Sequence, residues 1–368
     1  MLLGRQLNIK VLDLCNATCS FCGYNKDRLA ARIRAGYIAS KVNVDDLKEK
    51  LPAIRAKGIT ILHLTGGEPT LHPRFAELVR AAKDAGFQVR TGTNGSLIDE
   101  DLVLSMKDAG IDYLWYSLDT FPFENHLKHR GFSSLETKMF KGITLLHKHK
   151  INFFGQTVLS RILPFENGLP DIQGHLDYYR KEMGIKRFVF SYPMYRPDTS
   201  DMTHLATLGG SAVEFTKEEL VKMFSLLLEI KKEKGESLIV NPNLSIRQQL
   251  LELKGEMDWA GCHAGRDIFF LGADQKTLRP CYHFSERIVD NLDGKPLKPD
   301  LGYMKCTDCR DQCFRDPSIA YAAISRPWNF MKQAIRAENL NKSQEKRSQK
   351  RGGPVAFPFS LKLTANET

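Results

Sequence analysis

Three cysteines stand within eight residues near the N-terminus. Cys15, Cys19 and Cys22 are separated by three and then two residues in CNATCSFC, directly after a short apolar run. A tetrahedral zinc site needs four nitrogen or sulfur ligands, so the triplet is one ligand short unless a distant His completes it. Three thiolates can also hold three irons of a 4Fe-4S cube and leave the fourth iron open. An open iron is a place for a substrate or cofactor to bind.

A second chemical motif is TGGEP, residues 65–69. The two glycines, Gly66 and Gly67, allow the backbone to approach a ligand closely, and the carboxylate of Glu68 is suited to an ammonium group. Together with the cysteine triplet, this motif predicts a site that binds a small molecule beside a metal centre.

The other five cysteines lie in the C-terminal third of the chain. In a reducing cytosol their clustering favours metal ligation over disulfides. Four thiolates suffice for a fully ligated 4Fe-4S cluster, while a zinc ribbon is the alternative, since C-x2-C at Cys306 suits it. Five candidates are present: Cys262, Cys281, Cys306, Cys309 and Cys313.

Elements that position these residues are visible between residue 8 and about residue 235, where β-type runs alternate with amphipathic helical stretches. Six βα units with right-handed crossovers predict a parallel sheet covered by helices, either open and doubly wound or closed into a partial barrel. In both, ligands bind at the carboxyl ends of the strands, and the cysteine triplet, TGGEP, TNG and SLD each follow a strand. The six strand candidates are NIKVLDL, ITILHLT, FQVRTGT, IDYLWYSLD, INFFGQTVLS and IKRFVFSYP.

Composition places the chain among ordinary globular proteins. It has 368 residues, of which 42% are apolar and 26% charged, and its apolar runs are too short for a membrane span. We therefore expect a cytoplasmic protein with a core at 1–235, a small module at 236–340 and a flexible tail at 341–368. The net charge is +10, and KSQEKRSQKR at 342–351 supplies +4 of it. The remainder hints at an anionic substrate or cofactor.

The C-x3-C-x2-C spacing, with Phe21 before the third cysteine and TGGEP after the next strand, resembles the radical S-adenosylmethionine (radical SAM) superfamily over about residues 8–235. The resemblance implies an α/β fold, a partial (β/α)6 TIM-like barrel. It also implies a 4Fe-4S cluster on Cys15, Cys19 and Cys22, and S-adenosylmethionine that is cleaved to methionine and a 5′-deoxyadenosyl radical. The implied cofactor-binding positions are Phe21, Gly66, Gly67, Glu68, Asn94, Ser117, Gln156 and Val158.

The C-terminal cysteines resemble the SPASM and twitch modules of the same superfamily, which hold auxiliary clusters. The sequence C-x-A-G opens the first stretch at Cys262, and R-P-C closes it at Cys281. The second cysteine of the SPASM first stretch is absent, and no cysteine follows Cys313. The resemblance therefore implies one auxiliary 4Fe-4S cluster of the twitch kind. Its implied ligands are Cys262, Cys281, Cys306 and Cys309, with Cys313 as a spare or as a substitute for Cys306.

Function at the reaction level is expected to be hydrogen-atom abstraction from a small, anionic substrate such as a sugar, cyclitol or nucleotide. A flavodoxin or ferredoxin type protein would act as reductant, and the auxiliary cluster would accept an electron, as in alcohol oxidation, or anchor substrate. Peptide-modifying members of the superfamily commonly carry a leader-recognition domain before the first strand. No such extension precedes it in this sequence, so a small-molecule substrate is expected rather than a peptide. The candidate substrate contacts are Tyr192, Tyr195 and Arg196 after the sixth strand, and Arg266, Arg279, Tyr282 and His283 beside the auxiliary cysteines.

Three alternatives stay open. Within the superfamily they are a peptide maturase whose leader is bound by a separate protein, and a carbon-skeleton rearrangement like that of molybdopterin biosynthesis. Outside it, the chain would be a non-catalytic nucleic-acid-binding protein with structural zinc. That third hypothesis leaves TGGEP unexplained, and the densest basic run, at 342–351, lies in the tail rather than on a basic, aromatic face, so we expect no nucleic acid.

Overall fold

The computed structural model describes residues 4–193, 210–257, 261–272, 274–281, 287–292, 295, 310, 312–325, 335 and 339. Its strands are β1 (Arg5–Leu12), β2 (Ile59–Gly66), β3 (Gln88–Thr93), β4 (Tyr113–Ser117), β5 (Phe153–Val158), β6 (Phe165–Glu166), β7 (Leu169–Pro170), β8 (Phe188–Ser191), β9 (Ile268–Leu271), β10 (Thr277–Arg279) and β11 (Asp290–Asn291). Its helices are α1 (Lys26–Arg34), α2 (Val44–Ala56), α3 (Phe75–Asp84), α4 (Glu100–Ala109), α5 (Phe123–Arg130), α6 (Glu136–Lys148), α7 (Ile172–Met183), α8 (Lys217–Lys234), α9 (Asn243–Leu253) and α10 (Gln312–Ser325).

Six of the strands form a parallel sheet in the order β1, β2, β3, β4, β5, β8. This order follows the chain without reversal, whereas a doubly wound sheet reverses at a switch point. Successive right-handed crossovers in one direction place the helices on one face of the sheet, which then curls into a partial barrel. The structure thus decides between the two architectures that the sequence left open, and the six predicted strands are confirmed.

Local signals in the sequence match the elements. The helical spacing of Leu47, Leu51 and Ile54 corresponds to the buried face of α2. Gly110 ends α4 in the left-handed conformation that a glycine adopts without strain. The sequence TKEEL, residues 216–220, predicts a capping box at a helix start. Helix α8 opens with it, since the side chains of Thr216 and Glu219 each accept a hydrogen bond from the other's backbone N–H.

The interior of the barrel is polar beside β1. Alternate β1 residues Leu7, Ile9 and Val11 are fully buried under the helices, and the residues between them are buried polar side chains: Gln6, Asn8 and Lys10. Because successive side chains of a strand point to opposite faces, the polar set points into the barrel. Barrel interiors are usually filled by branched apolar side chains, so this one is better suited to a polar ligand.

The C-terminal segment extends the same sheet. Strand β9 pairs in parallel with the free edge of β1, and β10 and β11 follow it antiparallel. Chain contacts group Met1–Ala322 into one compact unit and Ala323–Thr368 into another. The three-part division at residues 235 and 340 stays a prediction. The sequence predicts a helical stretch over residues 318–338, and the described helix α10 begins earlier, at Gln312.

No helix within the described residues is both long enough and apolar enough to cross a membrane.

Candidate functional site

The cysteine triplet forms a compact loop between β1 and α1. Backbone N–H groups of Cys22 and Asn25 donate to the carbonyls of Cys19 and Cys22, each at 3.2 Å, and Asn25 then caps α1 with its side chain. Cys19 is buried, while Cys15 and Cys22 are half-buried. The loop therefore holds three thiols at the carboxyl end of β1, with two of them partly accessible.

Burial controls the protonation of these thiols. It raises the pKa of Cys15 to about 12, and Cys22 adds to that rise. Burial likewise raises the pKa values of Cys19 and Cys22. Such thiols stay protonated in water unless a metal replaces the proton. The donor set, three sulfurs without a fourth cysteine in the loop, fits a 4Fe-4S cluster with one iron left for another ligand.

A buried ion pair lies beside the thiols. Arg130 at the end of α5 donates to Asp119 at 2.5 and 2.9 Å, and both side chains are almost fully buried. The Arg130 charge opposes the effect of burial on the pKa of Cys19. The backbone of Arg130 also accepts a 3.1 Å hydrogen bond from Thr18 N in the cysteine loop. This guanidinium can therefore balance the negative charge of a thiolate-bound cluster.

A zinc ion bound by one cysteine of the triplet and a distant His would use a different set of residues. Among the described residues, Cys19, Asp119 and His129 bring one ligand atom each within 4.8 Å of one another. This group uses only one thiol of the triplet, and Arg130 already pairs with its carboxylate. A zinc ion there would leave Cys15 and Cys22 unused, so the group does not explain the triplet.

Both glycines of TGGEP allow a close approach to the chain's own backbone. Gly66 has φ 140°, and a Cβ there would lie 2.3 Å from the carbonyl oxygen of Leu12. A Cβ on Gly67 would lie 2.1 Å from the carbonyl oxygen of Leu14. Gly67 N and Glu68 N donate to these same two carbonyls at 2.9 Å. The approach that the sequence predicted toward a ligand is, in the structure, an approach to the start of the cysteine loop.

Glu68 joins the carboxyl ends of β2 and β3. Its buried Oε1 accepts hydrogen bonds from the hydroxyls of Thr70 and Thr93 at 2.6 and 2.8 Å, and its Oε2 accepts one from Asn94 N at 2.6 Å. Burial raises the pKa of Glu68, and these hydrogen bonds oppose the rise. Each carboxylate oxygen has two lone pairs, so Oε2 has room for one further donor, such as an ammonium group.

Asn94 links β3 to the cysteine loop. Its amide Nδ2 lies 2.8 Å from Asn16 Oδ1 and 3.9 Å from Cys15 Sγ. Its Oδ1 accepts hydrogen bonds from Ser96, whose hydroxyl also accepts one from Asn16. The predicted positions Cys15, Glu68 and Asn94 are thus brought together by direct contacts. Sequence reasoning included Thr93 and Asp119 only as members of TNG and SLD, without a role, and it missed Asn16, Ser96 and Arg130. The polar residues that surround the cysteines and end the strands were the available signal.

The remaining predicted cofactor positions lie on β4, on β5 and in the loop. Ser117, Gln156 and Val158 are half-buried, and Ser117 pairs with Gln156 in the sheet register. Gln156 donates to Ser191 at 3.1 Å, and its Oε1 would be 3.7 Å from a Cβ on Gly92. Phe21 is buried, with its ring centroid 5.4 Å from that of His129. Their roles toward a cofactor stay predictions.

Three of the auxiliary cysteines share one apolar cluster. Cys262 and Cys281 are buried in it with Phe270 and Phe314, and Cys313 packs against them. The backbone N–H of His263 donates to Ser318 at 2.9 Å, which ties this segment to α10. The shared cluster is compatible with a common metal centre. Cys306, Cys309, Tyr282 and His283 lie outside the described residues.

Tyr192 connects β8 to α10. It is 4% exposed, and its hydroxyl lies 3.0 Å from Asp316 and 3.1 Å from the donating amide of Asn241. Burial and Asp316 raise its pKa well above the usual value. These contacts hold the tyrosine in place, and its role toward substrate stays a prediction. Tyr195 and Arg196 lie outside the described residues.

A cavity of about 510 Å³ occupies the half of the barrel nearer the amino ends of the strands. This volume is in the range of small-molecule sites. Inward-facing residues of β2, β3 and β4 line it on one side, and Cys313 and Asp316 of α10 line it on another. His63, on the strand that precedes TGGEP, faces this cavity. An auxiliary cysteine thus borders the barrel interior.

The sequence is similar to one protein family and to several known proteins. The model of the "Radical SAM superfamily" matches residues 9–167. An AdoMet-dependent heme synthase of Methanosarcina barkeri is 29% identical over 51% of this chain and 50% of its own length, so the chain spans half of that relative. A probable GTP 3′,8-cyclase of Saccharolobus islandicus is 25% identical over 78% of this chain and 85% of its own length.

Among solved structures, that of anSMEcpe with bound AdoMet matches with a TM-score of 0.56. It is 17% identical and covers 91% of this chain and 98% of its own. At this identity the match supports the fold, a partial barrel with a C-terminal extension.

Proposed function

The chain belongs to the radical SAM superfamily, and from that premise we propose that it takes a hydrogen atom from a small, anionic substrate such as a sugar, cyclitol or nucleotide. When bound, the cluster supplies the electron that cleaves S-adenosylmethionine to methionine and a 5′-deoxyadenosyl radical. The observation that carries the proposal is the meeting of Cys15, Glu68 and Asn94 at the carboxyl ends of β1, β2 and β3.

The chain's own residues bind and orient the cofactor in this proposal. Cys15, Cys19 and Cys22 hold the cluster, and the free lone pair on Glu68 Oε2 accepts the methionine ammonium. Arg130 offsets the anionic charge of the sulfurs. The half-buried side chains of Ser117 and Gln156 line the route from this edge into the barrel.

An auxiliary cluster on the C-terminal cysteines completes the proposal. The shared apolar cluster of Cys262, Cys281 and Cys313 supports it, and so does the position of Cys313 on the barrel cavity. Such a cluster, when bound, supplies an electron acceptor for alcohol oxidation or an anchor for substrate. A flavodoxin or ferredoxin type protein is the proposed reductant.

A nucleotide rearrangement is the second candidate. The probable GTP 3′,8-cyclases favour it, because their match extends over 78% of this chain and so beyond the residues matched by the family model. If this candidate holds, GTP added to the reconstituted protein increases the release of 5′-deoxyadenosine. Release that is unchanged by GTP, in protein that cleaves S-adenosylmethionine, excludes it.

The proposed activity is tested with anaerobically reconstituted protein, S-adenosylmethionine and a one-electron reductant. We expect wild type to release 5′-deoxyadenosine slowly without substrate, and Cys19→Ala to release none. Ser105→Ala is the matched control, since it truncates a side chain of similar size on α4, outside the cysteine loop and the auxiliary cysteines, and keeps basal release. No nucleoside from wild type, or equal release from Cys19→Ala, would refute the activity.

A further inference from the structure

Arg90 of β3 is a buried cation on the wall of the barrel cavity. It is 7% exposed. Its Nη1 donates to the Tyr113 hydroxyl at 2.8 Å, and its Nη2 donates to Gln6 Oε1. Its Nε–H is buried and has no hydrogen-bond partner within the described residues. Two neutral oxygens therefore satisfy only part of the guanidinium.

No carboxylate neutralises Arg90 in the part of the chain that the structure describes. Of the acids that line the cavity, Asp112 pairs with Lys83 at 2.7 Å. Asp316 accepts hydrogen bonds from Ser245, Tyr192, Asn241 and Gln312. A buried charge without a counter-charge costs stability, so its presence points to a partner that arrives from outside.

The surroundings of Arg90 define what else the partner carries. The guanidinium lies 5.4 Å from the centroid of the Trp115 ring, and His63 packs edge-on against the same ring at 4.6 Å. Burial and Arg90 together keep the pKa of His63 well below its usual value, so the imidazole adds no positive charge. Aromatic walls of this kind accommodate a planar ring.

From these contacts we propose that Arg90 is the anion anchor of the substrate, and that it binds the phosphate or carboxylate group of a molecule whose planar ring packs against Trp115. This inference rests on the proposed function, whose substrate it narrows. Arg90 precedes Asn94 by four residues, which is roughly 13 Å along a strand. When its anionic group is held at Arg90, the rest of a small molecule can therefore extend toward the carboxyl ends of the strands, where the cysteine loop lies.

The test uses calorimetric titration of the reconstituted holoprotein with S-adenosylmethionine present. Two probe pairs separate the sources of the anion: guanosine 5′-monophosphate against guanosine, and benzoate against benzamide. We expect wild type to bind the charged member of at least one pair about 10- to 100-fold more tightly, as a charge-assisted hydrogen bond does. The pair that discriminates identifies phosphate, carboxylate or both.

Variants assign that preference to one residue. Arg90→Met should abolish it, and Arg90→Lys should keep part of it. Arg55→Met is the matched control, because Arg55 also lies over an aromatic ring, that of Phe87 at 5.5 Å, but outside the cavity. The preference of Arg55→Met for the charged probe should equal that of wild type. Equal affinity of wild type for charged and neutral probes, or an undiminished preference in Arg90→Met, overturns the inference.

Thermal unfolding without probe separates an anchor from a structural cation. Removal of an uncompensated charge should leave the midpoint of Arg90→Met equal to or above that of wild type. A large drop would mean that Arg90 serves the fold, and would overturn the inference. Release of 5′-deoxyadenosine from the same samples keeps the two claims apart. Release of 5′-deoxyadenosine without a preference for the charged probe would refute the anion anchor alone. A preference for the charged probe without release of 5′-deoxyadenosine would refute the proposed activity.

Discussion

Arg130 donates two hydrogen bonds to a single oxygen of Asp119, at 2.9 Å from Nε and 2.5 Å from Nη2, beside the buried thiol of Cys19. A buried ion pair contributes little relative to apolar residues, but removal of one partner leaves the other charge uncompensated. The guanidinium of Arg130 therefore lies beside the cysteine loop, held there by Asp119, and the fold depends on both members of the pair.

Arg130→Met should lower the free energy of unfolding by about 3–5 kcal/mol, because Asp119 is left buried and charged. The double variant with Asp119→Asn should regain part of that loss, which urea unfolding measures. If the double variant loses the sum of the free energies lost by Arg130→Met and by Asp119→Asn, the two residues do not interact. In folded Arg130→Met protein, a redox titration followed by electron paramagnetic resonance should show a more negative cluster potential than in wild type, because a positive charge beside Cys19 is lost while Asp119 stays.

Gly67→Ala should separate TGGEP from the cysteine loop. The added methyl group would lie 2.1 Å from the Leu14 carbonyl oxygen, so we expect a loss of about 1–3 kcal/mol in unfolding free energy and less iron bound per chain. Gly92→Ala is the control, since its nearest atom outside the adjoining residues is Gln156 Oε1 at 3.7 Å. Equal stability and iron content in the two variants would contradict the tight packing.

Glu68→Gln tests the remaining lone pair on Oε2. The amide keeps one acceptor oxygen for Thr70 and Thr93, but its NH2 group replaces Oε2 and accepts no hydrogen bond from an ammonium group. Affinity for S-adenosylmethionine should therefore fall about tenfold or more, while the iron content stays at the wild-type level. Equilibrium dialysis with labelled S-adenosylmethionine measures the change. Glu77→Gln, on the exposed side of α3, should bind as wild type does. Unchanged affinity in Glu68→Gln would remove this residue from the binding site.

Asp316 predicts a pH dependence of stability. Burial raises its pKa from 3.8 to about 6, so the folded state holds this proton more tightly than the unfolded chain. Stability then falls as pH rises through the window between the two pKa values. Between pH 5 and 7.5 wild type should lose about 1–1.5 kcal/mol relative to Asp316→Asn, as urea unfolding at each pH would show. If the unfolding free energies of the two proteins vary with pH in parallel, the pKa of the Asp316 carboxyl is not raised by folding.

The sequence predicted the parts of the fold that depend on local signals. The six main strands, the capping box at Thr216 and Glu219, and the position of the chemical motifs after strands follow from periodicity and residue type. Strands β9, β10 and β11 have two to four residues each and were missed, because runs so short have no measurable period.

Residues that act through distant partners were also missed. Asp119 and Arg130 belong to different elements, and nothing in either local stretch indicates that they meet. Arg90 lies in the strand predicted as FQVRTGT, and an alternation of period two does not distinguish a polar barrel interior from solvent. Such assignments need the closed geometry of the sheet.

The central claim is that Cys15, Cys19 and Cys22 hold a catalytic cluster separate from an auxiliary one. Iron and sulfide are counted in anaerobically reconstituted wild type and in the triple Ala variant of these cysteines. The account predicts about eight irons in wild type and about four in the variant, for one cluster of four irons at each site. Iron content that is equal in the two proteins would contradict it.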